Sequence, residues 1–90
     1  MTPALRISAA DNVAVALEAL QPGAVVDLPG CRVVARDPIP SGHKIALAPI
    51  AAGQPVLKYG SPIGLATVAI APGEHVHTHN VESTRGRGDR

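Results

Sequence analysis

Ile39-Pro40-Ser41-Gly42-His43-Lys44-Ile45 and, five residues on, Ile50-Ala51-Ala52-Gly53-Gln54-Pro55-Val56 carry one pattern twice: an aliphatic residue, a Gly three places later, and another aliphatic three places after that. Glycine reaches positive φ at little cost, so each copy reads as a tight turn that returns two aliphatic side chains to one core. Outward in both directions the pattern recurs as Leu20/Gly23/Val26 and Ile70/Gly73/Val76. Successive turn glycines lie 19, 11 and 20 residues apart, which is not the regular period of a solenoid. Between the turns the apolar runs last only four to six positions, the rhythm of short strands. These features predict a compact, mostly β domain.

Upstream, Asp11-Asn12-Val13-Ala14-Val15-Ala16-Leu17-Glu18-Ala19-Leu20 opens on a good capping residue. Val13, Leu17 and Leu20 fall at helical spacing before Gln21-Pro22-Gly23, so one short N-terminal helix is expected here. After Asn80 and Val81 the chain turns polar, and 82–90 reads as a mobile tail to a domain of residues 1–81.

Ninety residues with one Tyr and no Phe or Trp must build a thin core from Val, Ile, Leu and Ala. At this size roughly 60–65% of the unfolded surface can be buried, which favours stabilisation by a partner or by self-association. A formal net charge of +1, without a basic stripe or aromatic platforms, argues against nucleic acid. Cys31 is alone and reads as an inert, buried thiol. No apolar run approaches the roughly 20 residues that span a bilayer, and the N-terminus lacks a signal-peptide pattern, so a cytoplasmic location is expected.

The chemistry concentrates in Glu74-His75-Val76-His77-Thr78-His79-Asn80. In an extended strand His75, His77 and His79 would project to one side, close enough for neighbouring imidazoles to converge on one ion. A carboxylate at useful spacing is missing, because Glu74 would point the other way. A further ligand is to be sought at His43, in water, in substrate or on another chain. Gly42-His43-Lys44 and Lys58-Tyr59-Gly60 add proton-transfer and anion-binding groups beside turn glycines.

Taken in order, Asp11-Asn12-Val13-Ala14, Ile39 through Leu47, Ile50-Ala51-Ala52-Gly53, Lys58-Tyr59-Gly60, Ile63-Gly64 and Glu74 through Asn80 resemble the small SAF-type (β-clip) domain of the altronate and galactarate dehydratase family, over roughly residues 5–81. In length the chain also resembles the small subunit of sulfolactate sulfo-lyase. The resemblance implies a β-clip fold that is either the N-terminal part of a long dehydratase or, as its length suggests, a separate small subunit, inactive alone, paired with a large catalytic dehydratase subunit. It also implies a metal-dependent elimination of water or sulfite from a small hydroxy acid, with Fe(2+) or Mn(2+) as the divalent metal.

By that resemblance His43, Lys44, Lys58 and Tyr59 are the catalytic candidates. Lys44, Lys58 and Asn80 are the substrate-binding candidates, and His77 and His79 the metal ligands, with His75 as a further one. Two competing readings remain: a non-catalytic SAF module that binds carbohydrate or a partner, and a histidine-based metal carrier. The first has no need to keep histidines and lysines together at one surface, and the second requires tight metal binding by the isolated domain.

Overall fold

A computed structural model describes residues 4–83 and shows nine short strands: β1 (Ala4–Leu5), β2 (Val13–Ala16), β3 (Val25–Leu28), β4 (Cys31–Val34), β5 (Lys44–Ala46), β6 (Pro55–Lys58), β7 (Ser61–Ala66), β8 (His75–Val76) and β9 (Val81–Ser83). Glu82 and Ser83, which the sequence reading placed in the tail, pair with β7, and positions 84–90 lie outside the described residues. No helix among the described residues is long and apolar enough to cross a membrane.

The expected N-terminal helix is absent, and its centre is β2. Three facts explain the difference. The Asp11 carboxylate does not cap a helix but accepts the backbone N–H groups of Ser8, Tyr59 and Gly60. Val13 and Leu20 enter two different cores, while Leu17 is 57% exposed, so the helical stripe has no common face to bury. Val13 and Val15 are β-branched, which favours a strand once both sides are packed.

The strands form a four-stranded antiparallel sheet in the order β1-β2-β5-β8, a β3–β4 hairpin, and a three-stranded β6-β7-β9 sheet. Paired residues share a face and successive residues alternate. The registers Ala14↔Ile45 and Ile45↔His75 set one face of the four-stranded sheet, and Val15↔Lys44 and Lys44↔Val76 set the other. Ala4, Ala14, Ala16 and Ile45 pack beneath the β3–β4 hairpin with Val26, Leu28, Val33 and Ile39. Val13, Ala46 and Val76 pack on the opposite side with Ile50, Val56, Ala66 and Ile70. The sheet is a partition between two aliphatic cores.

The turn glycines, irregular as a simple series, mark a duplication. Leu20 and Ile39 exchange both backbone hydrogen bonds at 2.8 Å, as do Ile50 and Ile70 at 2.9 and 2.8 Å. Gly23 N–H donates to Ala35 and Gly53 N–H to Ala66, while Gly42 donates to Ala16 and Gly73 to Ala46. Each half is a strand, a turn, a hairpin and a second turn, repeated about 30 residues on, and the 19- and 20-residue spacings are the same interval in the two halves.

Gly73 is the tightest of these turns: it has φ +89°, and a Cβ there would collide with the Val34 carbonyl, while Gly23 has φ +95° with open space around it. Gly23→Ala should therefore cost only the positive-φ strain of about 1–2 kcal/mol, whereas Gly73→Ala should cost at least about 2 kcal/mol more because the β4 backbone must move. Equilibrium denaturation of the two variants checks this, and equal costs would refute the close-approach argument.

Candidate metal and anion site

At the β5–β8 edge of the four-stranded sheet, two separate stretches of chain bring their imidazoles together. His43 directly precedes β5, His75 opens β8 opposite Ile45, and His77 follows β8. The His43 and His77 rings stack with centroids 4.0 Å apart, and His75 lies 5.1 Å from His43 and 5.5 Å from His77. His43 Nδ1 and His75 Nε2 are 2.9 Å apart. One ring nitrogen from each of His43, His75 and His77 falls within 4.8 Å of the others.

This convergence is not produced by the regular strand expected from the sequence. β8 ends at Val76, and the chain from His77 to Asn80 turns back. Asn80, 5% exposed, builds that turn: its Oδ1 accepts the His77 N–H at 3.0 Å and its Nδ2 donates to the His75 carbonyl at 2.8 Å. Its amide thus orients the histidine loop and is occupied by backbone. His79 is exposed, and its ring lies 5.1 Å from His75, outside the trio that His43 completes. Asp37 accepts the His75 N–H at 3.0 Å. Nothing in the sequence pattern singled Asp37 out, because it stands 38 residues from its partner.

Burial holds the His75 ring below the ordinary imidazole value, with the neighbouring His79, His43 and His77 adding to the effect and Asp37 partly opposing it. His77 is lowered too, first by burial and then by His43, Lys44 and His79. Both rings are therefore held neutral near pH 7, the state in which imidazole can ligate a metal.

Lys44 leaves the sheet on the face opposite His75, yet it reaches His77 from the other side. Lys44 and His77 line one cavity of about 190 Å³ with Ile63, Val76, Thr78, Val81 and Ser83. Burial, then the nearby Lys58 ammonium, pushes the Lys44 ammonium below its ordinary range. Lys58 closes β6 with its Nζ 4.9 Å from the centroid of the Tyr59 ring. Tyr59, 61% exposed and at φ +57°, sits at the hairpin tip, where Asp11 binds the Tyr59 and Gly60 N–H groups at 3.0 and 2.7 Å. Burial alone would raise the Asp11 carboxyl, but the Gly60, Ser8 and Tyr59 donors outweigh it and lower the value. The structure thus joins His43, His75, His77 and Lys44, sets Lys58 near Lys44, and holds Tyr59 against Lys58 rather than against the imidazoles.

Residues 2–84 match the altronate/galactarate dehydratase SAF domain. The chain belongs to this family. It is 48% identical over 79 residues to altronate dehydratase of Escherichia coli (strain K12) and 40% identical over 79 residues to altronate dehydratase of Bacillus subtilis (strain 168). Each match covers 88% of this chain and 16% of the relative, so the chain spans about a sixth of those proteins. It is also 44% identical over 54 residues to (2R)-sulfolactate sulfo-lyase subunit alpha of Paracoccus pantotrophus, a match covering 60% of this chain and 81% of that subunit. The resemblance seen in the ordered motifs is a family relationship.

The lowered histidines give the domain a defined pH dependence. Between the folded values and the unfolded value of about 6.5, the unfolded chain binds more protons, so stability is fully present above about pH 6.5 and falls on acidification below it. Denaturation of the chain should show this decline as the pH falls below about 6.5, and His75→Gln should flatten it. A wild-type profile rising toward pH 5 would contradict the assignment.

Proposed function

We propose that this domain forms one wall of the active site of a metal-dependent hydroxy-acid lyase, and that a larger catalytic chain supplies the other wall. The observation that carries this reading is the convergence of His43, His75 and His77 beside the cation Lys44. Membership in the family supports it, as do relatives named as dehydratases and as a sulfo-lyase subunit. The match to one sixth of the altronate dehydratases, and to a relative that is itself a subunit, supports a larger partner chain.

The donor set fits a divalent ion. The His43 and His75 nitrogens are hydrogen-bonded to each other at 2.9 Å, and an ion replacing that hydrogen bond would find them at a workable spacing, since two nitrogens about 2.1 Å from one ion and about 90° apart are separated by about 3 Å. His43, His75 and His77 would hold the ion, and Fe(2+) or Mn(2+) suits imidazole together with the oxygens of a hydroxy acid. When bound, the ion supplies Lewis-acid stabilisation of the negative charge that develops beside the substrate carboxylate.

Elimination next to a carboxylate also needs a base for the α-proton and an acid for the leaving group. This chain's own residues orient and neutralise. Asn80 and Asp37 fix the backbone of His77 and His75, and thereby the positions from which their rings converge. Lys44 and Lys58 provide positive charge for an anionic group of the substrate, and Lys44, partly desolvated, binds it more strongly than an exposed lysine would. His79 lies beside His75 but outside the trio, its ring centroid 5.1 Å away. The carboxylate missing from the ligand set is assigned to the partner chain.

Co-purification with the large chain, followed by an activity screen over hydroxy acids, tests the assignment. His77→Ala should lower kcat/KM about 100-fold or more and remove bound metal, while the chains still associate. Unchanged activity in His43→Ala and His77→Ala would remove the trio from the reaction and favour a non-catalytic binding module.

A further inference from the structure

Asp11 is a buried carboxylate that the proposed reaction does not use. It stands just ahead of β2, and two of the backbone N–H groups it accepts belong to the tip of the β6–β7 hairpin, 48 and 49 residues away in the chain. Oδ2 takes the Tyr59 N–H at 3.0 Å and Oδ1 the Gly60 N–H at 2.7 Å. Successive N–H groups converging on one anion form a concave nest, and here the anion is a side chain from a distant segment. Beside it, Asn12 Nδ2 donates to the Pro55 carbonyl at 3.0 Å and Asn12 Oδ1 accepts the Leu57 N–H at 2.8 Å. Asp11 and Asn12 together tie the hairpin down along β6 and at its tip.

The duplication supplies a comparison within the molecule. The β3–β4 hairpin closes through a two-residue loop of the same length, Pro29-Gly30, and there only Gly30 has positive φ. At the β6–β7 tip Gly60 has φ +73°, but Tyr59 also sits at φ +57°, the one non-glycine with positive φ among the described residues. Loop length does not demand that conformation. The carboxylate that collects the N–H groups of both loop residues accounts for it. The strained position carries the chain's one tyrosine, 61% exposed, with the Lys58 Nζ 4.9 Å from its ring centroid. Val56 and Ala66 share a core with Val13 and Ala46, and such apolar packing is non-directional, so it sets the depth of the hairpin. Hydrogen bonds are directional and set where the tip stands. Asp11 and Asn12 run directly into β2, whose Val15 pairs with Lys44, so the tip is registered against the strand that borders Lys44.

We infer that Asp11 is a positioning residue: its carboxylate holds Tyr59 at positive φ and thereby fixes the Lys58–Tyr59 pair relative to the sheet that carries Lys44 and the histidines. Without it the loop is free to take the form seen at Pro29-Gly30, and the Lys58 ammonium loses its seat on the Tyr59 ring. That Lys58 then serves the substrate rests on the lyase reading; that Asp11 sets the tip does not. Asparagine is no substitute, because its amide would turn N–H donors toward a backbone N–H where a carboxylate oxygen now accepts.

Proton NMR of the 90-residue chain reads the tip, because a ring beneath the Lys58 ammonium moves the adjoining ε-methylene signals upfield. Tyr59→Leu identifies that shift by removing it. Asp11→Asn should remove it too, as should Asp11→Ser, which buries no amide, while the histidine ring signals stay where they are in the wild type. A wild type without the shift, or a shift retained in either folded variant, would overturn the inference. Failure of both variants to fold would overturn it as well, since Asp11 would then be a residue of general stability. In the complex with the large chain, Asp11→Asn should raise KM for the hydroxy acid about tenfold with kcat within about twofold of the wild type. An unchanged KM beside a lost ring shift separates the tip from substrate binding and sinks the positioning role. An inactive wild-type complex with a ring shift that depends on Asp11 fails the lyase reading alone, and an active one with a ring shift independent of Asp11 fails this inference alone.

Discussion

Everything in this domain depends on a sheet of very short strands that is buried on both faces. Val13 and Ala14 are adjacent in sequence, point in opposite directions, and are both nearly inaccessible. With Ile and Val as the largest fully buried side chains, neither core alone is large, and each needs the sheet as its floor. The duplication supplies that economy: two similar halves place one hairpin on each side of a shared partition. A residue at the β5–β8 edge is thereby assigned to a definite side. Ile45 carries His43 and His75 with it on one face, and Lys44 lies with Val76 on the other.

The functional arrangement follows from where that sheet stops. β8 is only His75 and Val76, so His77 escapes the alternation and is turned back by Asn80. It becomes the one histidine that faces both the imidazole cluster and the lysine cavity. Burial, with the neighbouring imidazoles and ammonium groups adding to it, lowers His75, His77 and Lys44 at this edge.

Much of this was legible in the residues, and the failures have physical causes. The aliphatic-Gly-aliphatic turns marked the β architecture correctly because positive φ at Gly23, Gly42, Gly53 and Gly73 is a local requirement. The helix over Asp11–Leu20 failed because a strand buried on both faces loses its polar–apolar alternation, and Ala is compatible with either structure. The duplication was hidden by spacings of 19, 11 and 20, since the repeating unit holds two turns rather than one. His75 and His77 were found from their spacing, and His43 was among the places where a further ligand was sought. The replacement of His79 by His43 in the cluster depends on the turn that Asn80 closes, a tertiary event with no periodic signal. Asp37 was out of reach for the same reason: its contact with His75 exists only after distant segments meet.

The central claim is that three imidazoles of this chain share one ion. Pulsed electron paramagnetic resonance of the Mn(2+)-loaded chain measures it directly, because nitrogens bonded to the ion couple to its electron spin. The account predicts nitrogen couplings from His43, His75 and His77, reduced when any one is replaced by Ala and retained in His79→Ala. Couplings to water alone, or nitrogen couplings lost in His79→Ala and retained in His43→Ala, would contradict it.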